Sequence, residues 1–294
     1  MSLEFRKRRF RKPSKGGQLA IAITAVVLAL GVVAAWIAVS FRPQPDPNNN
    51  SSDTSQGGIT YENEASRHLL VMLTDKGYER FTLVQISPAT QSVYVAAVPP
   101  TLIGDNGVTL VDTMHKRGYV DAVHLVADTL ELPITHYFAL DAEQAESWFN
   151  YLESGLTITL PQAVDFTDER GAIVRLDKGE QNLTAPQTVA LMRYDGWSDV
   201  DTTRTFTAQV LAAMINRYAT PERRFSSDFS ALSNLSRSSL RINDFNNFLP
   251  ALTHTVSGDN DPLCTVEVLK GVYRTSGFEF DRKETAKSSA LYRH

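Results

Sequence analysis

HLLVMLTDKGYERFTLVQISPATQSVYVAAV, residues 68–98, carries three short apolar runs and the turns between them. His68–Thr74, Phe81–Ser87 and Ser92–Val98 are rich in Val, Leu and aromatic residues and have the length of strands. Each is apolar on both faces, which predicts central strands covered on two sides by other layers. Pro88-Ala89-Thr90, between the second and third runs, reads as a hairpin turn.

Downstream the period changes. Val120, Val123, Ala127 and Leu130 follow helical spacing, Pro133 ends that helix, and Ile134–Leu140 returns as a strand. Asp141 with Gln144 predicts a capping box, opening a helix whose buried face is Ala145, Trp148, Phe149 and Leu152. Leu156–Leu160 is another short strand. Thr184 with Gln187 repeats the capping signal for a helix through Arg193, and Phe206, Val210, Met214 and Tyr218 mark one more. Strands and helices alternate without strict βαβ order, which predicts an α/β fold, an α-β-α layered domain around a central mixed sheet over residues 59–220. In residues 221–294, the serine-rich Ser226–Ser239 precedes a predicted helix at Ile242–Leu249 and a strand at Thr265–Leu269. This part is expected as a C-terminal appendage packed on the domain.

Upstream the sequence turns from globular to membrane-like. Gln18–Phe41 has 24 residues and no Asp, Glu, Lys, Arg or Pro. At about 1.5 Å per residue it would reach roughly 36 Å as a helix, enough for a hydrocarbon core of about 30 Å. Seven basic residues and one acid fill positions 1–17, which places that basic tail in the cytoplasm and the remainder outside the cell membrane as a single-pass protein. Ala38-Val39-Ser40 also offers a small-x-small cleavage site. The apolar run is longer than the usual signal core of about 7–15 residues, which favours an uncleaved signal-anchor. Residues 42–58, RPQPDPNNNSSDTSQGG, bury too little apolar surface to offset their ordering entropy and are expected as a flexible stalk.

The net charge of −4 over 294 residues is therefore an average over two sides of a membrane. From Arg42 onward 22 basic residues face 32 acidic ones, a balance that argues against a nucleic-acid partner. Cys264 is the only cysteine, so no disulfide framework forms within the chain. There is no phosphate-cradling Gly-rich loop, no GxSxG nucleophile elbow and no HxxxH pairing among the six histidines.

The order of elements resembles that of the LytR-CpsA-Psr family of bacterial cell-envelope proteins. The family pattern runs from a strand ending in G-x-D to R-S-D-T, then I-P-R-D, then L-x-G-x-Q-A-L-x-Y-x-R, and closes on an Asp/Arg/Gln segment opening the last helix. Here Leu69–Asp75 (LLVMLTD) looks like the first strand, Glu79–Thr82 stands at R-S-D-T, and Val98-Pro99-Pro100-Thr101 stands at I-P-R-D. Leu183–Arg193 (LTAPQTVALMR) is the nearest match, and Arg204 with Gln209 falls in the last segment. The resemblance spans about residues 67–218 together with the apolar anchor.

The resemblance implies a domain that binds a polyprenyl-pyrophosphate-linked glycopolymer and transfers the phosphoglycan to peptidoglycan. Such chemistry calls for a divalent cation on carboxylates and guanidinium groups around the phosphates. By the family pattern, Asp75 would ligate Mg2+, while Arg80, Arg193, Arg204 and Gln209 would serve the reacting phosphates. Several positions depart from that pattern. Phe81 replaces the second carboxylate, Glu79 stands at an arginine position, Pro100 and Thr101 replace Arg and Asp, and Asp195 and Thr207 replace two more arginines.

Each surviving residue also fits a plainer role. Asp75 suits a turn with Gly77, Arg193 a helix C-terminus, Arg204 a pairing with Asp199 or Asp201, Arg80 an exposed strand position, and Gln209 a solvated helix position. Three functional readings stay open on these residues. One is an envelope protein that binds lipid-linked or wall glycopolymer with little or no catalysis. Another is an active Mg2+-dependent phosphotransferase rebuilt around Arg80 and Gln209. The third is a membrane-anchored structural or regulatory protein.

Overall fold

The computed structural model describes residues 65–152, 155–221 and 225–292. The expected basic tail (1–17), membrane span (18–41) and stalk (42–58) lie outside them. Among the described residues no helix is long and apolar enough to cross a membrane.

β1 (Arg67–Leu73), β2 (Arg80–Ser87) and β3 (Ser92–Val98) form an antiparallel meander, with Leu73 opposite Arg80 and Phe81 opposite Val98. α1 (Leu110–Arg117), capped by the Thr109 side chain, and α2 (Tyr119–Leu130) lead into β4 (Ile134–Leu140), which lies parallel to β1. α3 (Ala142–Tyr151) opens on the expected capping box of Asp141 and Gln144. β5 (Leu156–Leu160) pairs with β8 (Gly179–Leu183), and between them β6 (Val164–Thr167) pairs with β7 (Ile173–Leu176). α4 (Ala185–Arg193) starts at the Thr184–Gln187 capping box and is followed by α5 (Val200–Tyr218). Then come α6 (Phe225–Asn234), β9 (Arg237–Ser238), α7 (Ile242–Val256) and β10 (Cys264–Glu267). The hairpin of β11 (Gly271–Arg274) and β12 (Gly277–Phe280) precedes the short α8 (Arg282–Ser288).

Among the described residues the central sheet is mixed and six-stranded, in the order β10-β3-β2-β1-β4-β9. Strand alternation sends its residues to two cores. Leu70, Met72, Phe81, Leu83 and Val98 pack with Leu110, Met114 and Val126 of α1 and α2. Leu73, Val84, Val95 and Leu140 pack with residues of α3, α4 and α5, among them Trp148, Val189 and Phe206. Helices therefore cover both faces, the expected α-β-α layering, and double coverage explains why the three opening strands carry apolar residues on both sides.

The helix expected from the spacing of Val120, Val123, Ala127 and Leu130 is α2; Val120 is 53% exposed, and the buried stripe is Ala122, Val123, Leu125, Val126 and Leu130. The 3.6-residue period is right, but contact with the sheet sets its phase, and Val120 falls outside the buried arc. Residues 221–294 are not an appendage but supply both edge strands of the sheet, β9 beside β4 and β10 beside β3. The serine-rich run also holds α6, whose Phe229 stacks on Phe245 of α7. Asn216 of α5 clamps β10 with both halves of its amide: its side-chain N–H donates to the Cys264 carbonyl at 2.9 Å and its oxygen accepts the Cys264 N–H at 2.6 Å. Burial pushes the Cys264 thiol up to about 12, so it stays protonated and acts as a small apolar side chain.

The β11–β12 hairpin closes on the Pro99–Ile103 turn. Phe278 donates its N–H to the Thr101 carbonyl at 2.8 Å. Gly277 makes this approach possible, since its φ is +139° and a Cβ there would sit 2.4 Å from the Thr101 carbonyl oxygen.

Candidate functional site

One end of the sheet gathers the residues that the family pattern singles out. β1, β3 and β4 end there and β2 begins there, which brings Asp75, Arg80, Pro99 and Asp141 to one rim. Thr74 ties β1 to β4 by donating its N–H and its hydroxyl to the Leu140 carbonyl, at 2.9 and 3.2 Å.

Asp75 opens a turn closed by the Tyr78 N–H on the Asp75 carbonyl at 2.9 Å, with Gly77 at φ +88°. Its carboxylate Oδ2 lies 3.9 Å from Nε of Arg193, a charge pair too long for a hydrogen bond, and both atoms are buried without a hydrogen-bond partner. Burial raises the Asp75 carboxyl above the usual range; Arg193 and the Ala142 N–H pull the other way, and Asp141 and Glu169 add to the rise.

Arg193 ends α4, and its guanidinium is engaged on two sides. Nη2 meets Glu169 Oε2 at 2.5 Å, and the group lies over the Tyr78 ring at 4.8 Å. Glu169 also accepts a hydrogen bond from the Tyr78 hydroxyl, which raises that phenol above its ordinary value. The turn that presents Glu169 is fastened beside it. Asp168 accepts the N–H groups of Arg170 and Ala172 at 2.9 and 2.8 Å. Arg170 in turn reaches Glu146 of α3 at 2.5 Å.

Arg80 forms an ion pair with Asp195 and donates to the Arg193 carbonyl at 3.4 Å. Glu79 is buried: one oxygen accepts the Gly77 N–H at 3.0 Å and the other meets His115 Nε2 at 2.7 Å. Phe81, at the second carboxylate position of the family pattern, is 2% exposed in the core. Thr207 is buried and donates its hydroxyl to the Met192 carbonyl at 3.2 Å, tying α5 to α4. Arg204 is exposed on α5 with its guanidinium 3.7 Å from the Tyr273 ring centroid. Gln209 donates to Thr205 Oγ1 at 3.1 Å within the same helix.

Two cavities flank this rim. One of about 230 Å³ is lined by Arg80, Arg204, Tyr273, Pro99, Thr207 and Asp195, with further apolar residues. The other, about 280 Å³, lies among Tyr78, Phe166, Glu169, Arg193, Tyr194 and Asp195. Asp195 lines both. Asp75, Arg80, Arg193 and Arg204 are thus brought to one stretch of surface, while Gln209 lines neither cavity.

Among the described residues no group of three or more His, Cys, Asp or Glu side chains is placed to hold a metal ion. A hard divalent cation takes several oxygen ligands, and Asp75 stands beside a guanidinium with Phe81 where a second carboxylate is needed. The donor set does not fit a protein-held Mg2+.

Sequence reasoning missed Tyr78, Glu169, Tyr194 and Tyr273. Glu169 is an exposed turn residue 24 positions before Arg193, and no local periodicity links the two.

No protein-family model matches the chain, and no curated protein matches it in sequence. Solved structures do match in shape. A protein of Eubacterium siraeum described as a transcription regulator superposes with a TM-score of 0.69 at 15% identity, over 86% of this chain and 98% of its own. TagV of B. subtilis gives 0.59 at 19% identity, over 76% and 93%. TagT bound to LI-WTA gives 0.56 at 17% identity, over 77% and 88%. The fold expected from the sequence, that of the LytR-CpsA-Psr proteins TagT, TagU and TagV, is the fold found.

Proposed function

We propose that this chain is a cell-envelope protein of the LytR-CpsA-Psr type that binds a lipid-linked or wall glycopolymer and does not transfer it. In this reading residues 18–41 anchor it in the cell membrane, with the N-terminus cytoplasmic and the folded domain outside. The observation that carries the reading is the state of the two best-placed arginines. Arg193 and Arg80 are held by carboxylates of the chain itself, Glu169 and Asp195. Phosphoryl transfer depends on guanidinium and metal charge that grows in effect as negative charge develops on the phosphates. Guanidiniums already matched by carboxylates, with no fitting metal site among the described residues, supply little of it. Binding makes smaller demands, and the cavities beside Arg204, Tyr273 and Tyr78 combine aromatic surface with polar groups. The fold shared with TagT, which has been solved bound to a wall teichoic acid precursor, supports a glycopolymer as the ligand class.

The test uses the full chain in detergent micelles. Co-sedimentation with purified wall glycopolymer is expected, together with no Mg2+-stimulated release of polyprenyl phosphate from a lipid-linked donor. Mg2+-dependent transfer abolished by Asp75→Ala would overturn the reading. That outcome would favour the rival, an active phosphotransferase, whose support is that Asp75, Arg80, Arg193 and Arg204 share one stretch of surface.

A further inference from the structure

The cavity beside Arg193 is lined by three carboxylates, Asp168, Glu169 and Asp195, against one guanidinium. Asp168 is spent on its own turn, where two backbone N–H groups and Arg170 hold its carboxyl below the ordinary range against the upward push of burial. Glu169 and Asp195 are different: each reaches out of its own segment to an arginine that a phosphate would otherwise take. Their charges oppose an incoming phosphate directly, and each takes the Nη2 of a guanidinium that would otherwise grip an oxyanion. The remaining wall is mostly aromatic, with Thr167 and Ala190 among the rings. Phe166 stacks on Tyr194 at 4.5 Å, Tyr194 meets Trp197 edge-on at 5.2 Å, and Tyr78 closes the side next to Arg193. Carboxylate acceptors beside aromatic rings match the hydroxyl donors and C–H faces of a sugar, and about 280 Å³ is room for a ring rather than a long chain.

We infer that Glu169 and Asp195 set the ligand class of this site: by holding Arg193 and Arg80 they convert a seat for phosphate into a seat for an uncharged pyranose packed against Tyr78, Phe166 and Tyr194. The inference rests on the glycopolymer reading above and adds which part of the polymer this cavity holds. The sugar is gripped here, and the phosphates are turned away.

Isothermal titration of the full chain in detergent tests it, with N,N′-diacetylchitobiose as the neutral probe and inorganic pyrophosphate as the anion. Wild type is expected to bind the disaccharide at least about tenfold more tightly than pyrophosphate, and Tyr194→Ala to lose the disaccharide. The double variant Glu169→Gln/Asp195→Asn, nearly isosteric, is expected to gain about tenfold or more in pyrophosphate affinity. A circular-dichroism melt of each variant separates loss of binding from loss of fold. The inference is overturned if wild type binds pyrophosphate as tightly as the double variant does. It is equally overturned if a folded Tyr194→Ala keeps the disaccharide, or if wild type takes up none. Polymer retained without disaccharide binding sinks this inference and leaves the broader reading standing. Disaccharide bound without polymer retention does the reverse.

Discussion

Leu83 in the middle of β2 and Arg193 at the rim above it owe their places to different kinds of information. Leu83 is fully buried because alternation along a central strand sends it into one core, among neighbours that obey the same alternation. Arg193 is placed by a helix whose start is locally encoded, but its partners Glu169 and Tyr78 come from two distant turns. The interior is specified by pattern and the rim by long-range charge pairing. Stability should therefore concentrate in the first and ligand preference in the second.

The largest expected effect sharpens the interior side. Leu83→Ala should cost ~2–5 kcal/mol, from lost burial plus the cavity left behind, read as a lowered denaturation midpoint. Next comes Asn216→Ala, which strips two hydrogen bonds from β10 and leaves buried backbone groups unpaired. A loss of ~1–3 kcal/mol is expected, with amide exchange rising first at residues 264–267. Thr184→Ala removes the N-cap of α4 and should cost ~1 kcal/mol by thermal melt.

The smallest effect belongs to the rim, and its sign is opposite. The Asp75 carboxyl is raised in the folded protein, so the folded state holds that proton more tightly than the unfolded one. Stability is then lost, not gained, as pH rises through the window above the unfolded value of 3.8. Asp75→Asn should stabilise the protein slightly at neutral pH, by ~0.5 kcal/mol or less given the partial exposure, and the gain should vanish at pH 3. A loss at pH 7 as large as that of Leu83→Ala would break the contrast between interior and rim.

The same contrast decides what could be read from the sequence. β1, β3 and β4, the Asp141 and Thr184 capping boxes, and the buried faces of α3 and α5 are legible because each signal lies within a few residues. Gly271–Arg274 is exposed throughout, so β11 has no buried alternation to announce it. β9 is two residues long, shorter than any pattern. The departures from the family pattern at Phe81, Glu79 and Asp195 were visible as substitutions. That Phe81 fills a core, Glu79 pairs with His115 and Asp195 meets Arg80 depends on contacts no spacing encodes.

The order of strands has a consequence for how the chain is made. The meander β1–β3 is complete by Val98, and β4 joins it by Leu140, but the free side of β3 is not paired until β10 at Cys264–Glu267. A growing or truncated polypeptide ending before Leu263 would present the apolar strand β3 with an open hydrogen-bonding edge, a template for joining another molecule. Shortened versions ending there are expected to aggregate, and the chain that keeps β10 together with the buried Leu269, Phe278 and Leu291 to remain monodisperse in gel filtration in detergent. The last quarter of the sequence thus serves as the guard of the first strands made.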